Sequence, residues 1–181
     1  ADAVNVGEGN NVVLGDEGRI ETAAFLFTVI ESSSGDYMDL IVAGAGNGTD
    51  YILGGGGADT LIAGNLLAPG DGTNVVLGDH GTLTFTAGVL AQVASTTSTG
   101  DSDLIEAGDG FNIIIGGFGA DSITTLGGTN VLFGDQGRVN VTGTTLVDAT
   151  TLDAGTGSHD LILTGDGTHW IFGGDGDDVI T

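Results

Sequence analysis

The apolar residues of this chain come in short runs of Val, Ile and Leu, without the stripe of an amphipathic helix. What repeats is a polar residue followed two positions later by an aliphatic one. Asp103, Asn112, Asp121 and Asn130 stand nine residues apart, ahead of Ile105, Ile114, Ile123 and Leu132. Asp160, His169 and Asp178 keep the same beat before Ile162, Ile171 and Ile180. Asp50 and Asp59 carry it in the first third of the chain, while the step from Asp39 to Asp50 has two extra residues. Nine residues hold one short strand and one turn. Such a unit cannot bury an apolar side alone, so it must stack on copies of itself. The pattern predicts an all-β protein, a parallel β-roll or β-helix solenoid of stacked nine-residue rungs. Two rungs complete a coil, and successive strands lie on opposite faces of the roll.

A longer period lies over the short one. L-G-D-x-G at 14–18 and 77–81, and F-G-D-Q-G at 133–137, place Asp16, Asp79 and Asp135 at spacings of 63 and 56 residues. The last residues, read on into the first, match 116–135 apart from a short insertion and would give a spacing of 62. The chain therefore reads as one continuous solenoid over 1–181, open-ended at both termini. It divides into three repeats of about 60 residues, approximately 1–63, 64–120 and 121–181, suited to tandem continuation with identical repeats. After each L-G-D-x-G comes a segment of its own, at 20–34, 83–99 and 139–157. T-L-T-F-T and R-V-N-V-T alternate as strands do and are expected to continue the roll. A-A-F-L-F-T-V-I fits a buried strand or a short helix. S-S-S-G and S-T-T-S-T-G read as surface excursions.

Charge narrows the chemistry. There are 25 acidic residues against two arginines, Arg19 and Arg138, and no lysine, for a formal net charge of −23. The acids are interleaved with Val, Ile and Leu rather than gathered in a solvated tail, so a compact fold holds them close together. Such a fold repels itself unless cations enter. About a dozen divalent ions would balance the charge, and loops of carboxylates and carbonyls suit hard cations, calcium above all. The lack of Lys and Arg argues against nucleic acid as a partner. No apolar run approaches a membrane span, so no membrane insertion is expected. Without cysteine there is no disulfide, no thiolate metal site and no cysteine nucleophile.

Rungs eighteen residues apart share an edge of the roll, which sorts the acids into columns. One column is aspartate throughout: Asp39, Asp59, Asp103, Asp121, Asp160 and Asp178. The other holds Asn11, Asp50, Asn74, Asn112, Asn130 and His169, and its acids move to the third loop position, Glu8, Asp71, Asp109 and Asp166. The L-G-D-x-G loops add Asp16, Asp79 and Asp135, the G-D turns add Asp36 and Asp101, and the last loop adds Asp175. Each loop thus keeps about one carboxylate, as a divalent ion shared between stacked loops requires. For the asparagine column a plainer reading stands beside that one, a ladder of side-chain hydrogen bonds. No catalytic constellation emerges. His80, His159 and His169 fall at variable or surface-loop positions, the serines lack a strand-turn-helix setting, and evenly repeated carboxylates indicate metal rather than one acid–base pair. The chain reads as a non-enzyme.

The fullest copies of the short unit are G-G-G-G-A-D-T-L-I at 54–62, G-G-F-G-A-D-S-I-T at 116–124 and G-G-D-G-D-D-V-I-T at 173–181. All have the form G-G-x-G-x-D-x-U-x, with U a large aliphatic residue. They resemble the nonapeptides of the RTX (repeats-in-toxin) proteins. The resemblance implies a parallel β-roll holding several calcium ions, type I secretion from a Gram-negative-type cell, and folding triggered by extracellular calcium. The Asn and His substitutions and the long third segment depart from the family pattern and indicate a divergent tandem-repeat relative. The expected role is a calcium-stabilised structural repeat segment of a large extracellular bacterial adhesin, surface-layer or filament protein, with self-association between copies. The alternative is an RTX secretion or folding module attached to an enzyme or toxin elsewhere in a longer chain.

Overall fold

The computed structural model describes residues 1–44, 46–64, 72–96, 99–152 and 158–181, and the regular structure among them is entirely β. One sheet has eleven strands, all paired in parallel, and winds into a flattened roll. Its open face consists of β1 (Ala3–Val6), β5 (Leu40–Ala43), β7 (Thr60–Ala63), β11 (Leu104–Ala107), the first halves of β13 (Ser122–Phe133) and β16 (Leu161–Phe172), and β17 (Val179–Ile180). Its covered face consists of β2 (Asn11–Leu14), β6 (Thr49–Leu53), β8 (Thr73–Leu77), β12 (Phe111–Ile115) and the second halves of β13 and β16. The nine-residue beat therefore sets the register. Ile41, Leu61, Ile105, Ile123 and Ile162 align across the open face, and Ile52, Val76, Ile114 and Leu132 across the covered one. These inward side chains fill the lumen of the roll.

The third segment of each repeat does not continue the roll. It folds back as an antiparallel hairpin: β3 (Glu17–Ala23) with β4 (Leu26–Ser34), β9 (Gly81–Thr86) with β10 (Val89–Ser95), and β14 (Gly137–Thr142) with β15 (Thr145–Thr151). Tight turns close the hairpins, with left-handed φ at Ala24 (51°) and Phe25 (65°), at Ala87 (51°) and Gly88 (78°), and at Gly143 (63°). Turns of that twist match the twist of the flanking strands and reverse the chain within two residues. A reversed chain cannot enter a parallel ladder. The hairpins instead pair with one another, in the order β15-β14-β10-β9-β4-β3, as a second, six-stranded sheet. The S-S-S stretch belongs to this sheet: Ser32–Ser34 end β4, and Ser32 is fully buried rather than a surface excursion. In S-T-T-S-T-G, Ser95 ends β10 and residues 97–98 lie outside the described set.

The hairpin sheet lies over the covered face and encloses a second core, with Leu83, Phe85, Leu90, Val93 and Val139 against Leu53, Val75, Ile113, Val131 and Phe133. This placement explains the local sequence. A strand buried on both sides carries an unbroken apolar run, as in I-I-I of β12 and V-V-L of β8, whereas the open face alternates. Outward positions of the roll at Val75, Ile113 and Val131 are therefore core positions, and only near the end of the stack does Trp170 stay exposed.

A hairpin leaves the roll after every second coil, behind β2, β8 and β13. Two coils advance the stack by about 9.6 Å, and the two strands of a hairpin occupy the same about 9.6 Å. Successive hairpins therefore meet edge to edge, β4 against β9 at Val29–Glu31 and β10 against β14 at Gln92–Ala94.

Candidate metal centre

At the edge where the chain returns from the covered face to the open face, each coil sets an aspartate just before its open-face strand. Asp39, Asp59, Asp103, Asp121, Asp160 and Asp178 occupy this position, and Asp2 before β1 belongs with them. Sequence reading missed Asp2, although Val4 follows it at the usual offset of two. The backbone amide of each aspartate donates to Oδ1 of the aspartate one coil on. The distances are 2.6 Å from Asp2 to Asp39, 2.8 Å for each of Asp39–Asp59, Asp59–Asp103, Asp103–Asp121 and Asp121–Asp160, and 3.0 Å for Asp160–Asp178.

This ladder fixes one oxygen of each carboxylate and aims the other. Oδ2 of Asp39, Asp59, Asp103, Asp121 and Asp160 is buried and accepts no hydrogen bond. Each of these oxygens borders a glycine from the preceding loop. A Cβ added at Gly116 would collide with Asp121 Oδ2 and with the Gly134 carbonyl oxygen, and one at Gly54 with Asp59 Oδ2 and the Gly78 carbonyl. The missing side chain thus leaves a niche whose walls are a carboxylate oxygen and a main-chain carbonyl. A second row of carboxylates, from the L-G-D-x-G loops, reaches into the next coil's glycine loop. Oδ2 of Asp16 accepts from the Gly56 amide (3.1 Å), that of Asp79 from Phe118 (2.5 Å) and that of Asp135 from Asp175 (2.7 Å). Oδ1 of Asp79 is buried without a partner.

The electrostatics follow from this crowding. Burial pushes the carboxyls of Asp59 and Asp160 up to about 7, Asp79 to about 8, Asp103 to about 9 and Asp121 to about 10. The ladder amides pull the other way, and neighbouring carboxylates add to the rise: Asp103, Asp160 and Asp79 all face Asp121. Burial also raises Asp16 and Asp135. A carboxylate in such surroundings takes up either a proton or a cation. The donor set is all oxygen, as a hard cation with six to eight ligands prefers. Among the described residues no three acidic or histidine side chains converge on one point. Glycine carbonyls must therefore complete any coordination sphere, and the niches supply them.

The RTX calcium-binding nonapeptide repeat matches the chain in four copies, at residues 33–65, 97–132, 106–141 and 154–181, together more than half its length. The chain belongs to the RTX calcium-binding repeat family. No curated protein and no solved structure matches it. The family segments take in Asp39 and Asp59, Asp103 and Asp121, and Asp160 and Asp178 of the aspartate edge, and also Asp50, Asn112, Asn130 and His169 of the opposite edge.

The opposite edge of this RTX roll is built differently. Asn11 Nδ2 donates to Asp50 Oδ1 (2.8 Å), Asn74 to Asn112 (2.8 Å) and Asn112 to Asn130 (2.7 Å). Asn130 Nδ2 lies 3.0 Å from His169 Nδ1, whose Nε2 reaches the Gly165 carbonyl at 3.0 Å. That network assigns the proton to Nε2. Here the amide ladder is realised. Asp50 joins it as the acceptor from Asn11, but the acids of the third loop position do not: Glu8 and Asp166 are exposed and Asp109 is half-buried, while Asp71 lies outside the described residues. Asp36, Asp101 and Asp175 belong to the aspartate edge but sit exposed in its outer loops. Of the histidines, His80 departs from its expected surface position. It is buried, with Nδ1 2.9 Å from Ser32 Oγ, and ties the second L-G-D-x-G loop to the first hairpin.

Proposed function

We propose that this chain is a calcium-stapled structural segment of a large extracellular bacterial protein, an adhesin, surface layer or filament, exported by type I secretion. The observation that carries the reading is the row of five buried, unpaired Oδ2 atoms beside glycine carbonyls on one edge of the roll. Asp39, Asp59, Asp103, Asp121, Asp160 and Asp178 supply the principal calcium ligands, and Asp16, Asp79 and Asp135 a flanking row. Asp36, Asp101 and Asp175 line the outer loops of the same edge. On the opposite edge Asp50 serves as an acceptor within the amide ladder, and Asp109 and Asp166 lie outside that ladder, so these three are assigned no calcium. The hairpin sheet favours a structural role over a secretion or folding module. It turns a thin roll into a three-layer slab with two cores, which stiffens the segment.

The test is a calcium titration from a chelated start at neutral pH, followed by far-UV circular dichroism, with magnesium as the control. The expected result is a chain that becomes β-rich with calcium and not with magnesium. A chain fully β-rich in chelator would overturn the stapling role.

A further inference from the structure

The loops of the aspartate edge come in two alternating forms. Gly54–Gly55, Gly116–Gly117 and Gly173–Gly174 open one form, and Gly15–Asp16, Gly78–Asp79 and Gly134–Asp135 open the other. In the first form the second glycine has left-handed φ, 114° at Gly55, 116° at Gly117 and 110° at Gly174. A side chain is strained there. In the second form the aspartate backbone is not left-handed, and its carboxylate crosses to the following loop, where the amides of Gly56, Phe118 and Asp175 hold it. The glycine it crosses makes the room. A Cβ on Gly55, Gly117 or Gly174 would collide with the side chain of Asp16, Asp79 or Asp135. These aspartates also stand at the necks of the hairpins. Each leads within two residues into β3, β9 or β14. Asp16 and Asp79 border Gly35 and Gly100 as well, where the chain returns from β4 and β10.

The ladder aspartates supply one carboxylate to each gap between successive loops, and the neck aspartates supply a second to every other gap. Asp79 shows the arrangement. It is 2% exposed with Oδ1 unpartnered, and the adjoining Gly78 niche holds the unpartnered Oδ2 of Asp103, 3% exposed, and the Gly116 carbonyl. We infer that the roll holds two classes of calcium site. A tight site lies at each hairpin neck, formed by Asp16 with Asp39, Asp79 with Asp103, and Asp135 with Asp160. A weaker site lies at Asp59 and another at Asp121, where the crossing residue is glycine and the gap has a single carboxylate. The physical reason is the number of charged ligands, which sets the affinity of an oxygen site for calcium. The family pattern G-G-x-G-x-D does not contain this distinction, because the acid that makes a site tight stands where that pattern has its second glycine. The tight sites also have a structural consequence. A cation held by Asp79 lies beside the arm that leaves the roll, the arm that returns at Gly100 and the next coil at Gly117, so it closes the neck of the hairpin.

The inference rests on calcium binding at this edge, as proposed above, and circular dichroism reports that separately. The experiment is equilibrium dialysis of the calcium-loaded chain against buffers of stepwise lower free calcium, with the bound metal measured by atomic emission. Bound calcium is expected to pause at about three ions per chain, and those ions leave only at about tenfold lower free calcium. Asp79→Asn keeps an acceptor for the Phe118 amide and lowers the pause from about three ions to about two. Asp59→Asn keeps an acceptor for the Asp39 amide, lowers the starting total by one and leaves the pause where it was. Both are checked for the wild-type β signal in saturating calcium, and Asp135→Asn replaces Asp79→Asn should that variant not fold. A chain that gains its β signal with calcium yet releases every ion in one step overturns the two classes and leaves the stapling role intact. A pause unchanged by loss of a neck carboxylate, or lowered equally by Asp59→Asn, overturns the assignment of the tight sites.

Discussion

At Asp121 two demands meet in one carboxylate: Oδ1 accepts the Asp103 amide, and Oδ2 is buried with nothing to bond. Asp121→Asn keeps an acceptor for the amide while removing the charge. It is expected to raise the calcium midpoint of folding by about tenfold, since affinity follows the number of charged ligands. A midpoint equal to wild type would dismiss Asp121 as a ligand. Gly116 tests the niche itself. Its φ is not left-handed, so alanine brings no backbone strain, only a methyl group against Asp121 Oδ2 and the Gly134 carbonyl. Gly116→Ala should cost about 1–3 kcal/mol, as overpacking does, and should blunt the calcium response in the same titration. The raised carboxyls also fix the sign of the pH dependence. Between the ordinary value of 3.8 and raised values reaching about 10, the cation-free roll holds more protons than the unfolded chain. Its stability therefore falls as pH rises through that window, while calcium, which competes with those protons, binds better. In chelator the β signal should be stronger at about pH 5 than at about pH 8, and the calcium midpoint should fall as pH rises. Equal signals in chelator at both values would show that the buried carboxyls do not govern folding.

The first hairpin is the weakest-written of the three. It turns through Ala24 and Phe25, both left-handed, where the second uses Ala87 and Gly88. A side chain in that region costs about 1–2 kcal/mol, and Asn-Gly is the pair that suits the turn. The double change Ala24→Asn with Phe25→Gly should raise the melting temperature of the calcium-loaded protein by a few degrees. No rise would mean that the turn is not strained in solution. The first two hairpins show why this part of the fold was hard to read. T-L-T-F-T alternates identically whether it forms a rung or one arm of a hairpin, and A-A-F-L carries none of the residues that mark a two-residue turn. The rungs were legible because an aspartate and an aliphatic residue at a fixed offset have only one way to stack. The aspartate column was legible for that reason too, and its unpaired oxygens lie where the spacing placed the acids. The opposite column was ambiguous in principle, because Asn suits a metal loop, a turn and an amide ladder alike. The contacts from coil to coil, Asn74–Asn112 and Asn112–Asn130 among them, decide between them. The burial of His80 depends on Ser32, 48 residues away, which no local pattern could indicate.

Taken whole, the protein is three layers with two cores, and the covered face belongs to both. Replacing the second hairpin, 81–95, by a short glycine loop would strip Leu83, Phe85, Leu90 and Val93 from Val75 and Ile113, and would part the first hairpin from the third. The expected loss is at least about 5 kcal/mol from the buried area alone, with binding of an apolar dye in the presence of calcium. A shortened chain that melted like wild type would make the hairpin sheet an ornament on a self-sufficient roll. The match between two coils and one hairpin also bears on how such a gene can lengthen. Inserting a single eighteen-residue coil would displace every later hairpin by about 4.8 Å, half its own width, and leave it facing a gap. Inserting two coils with their hairpin restores every contact. Duplications and deletions that survive in this kind of gene should therefore come as whole units of about sixty codons, each lengthening the molecule by about 9.6 Å.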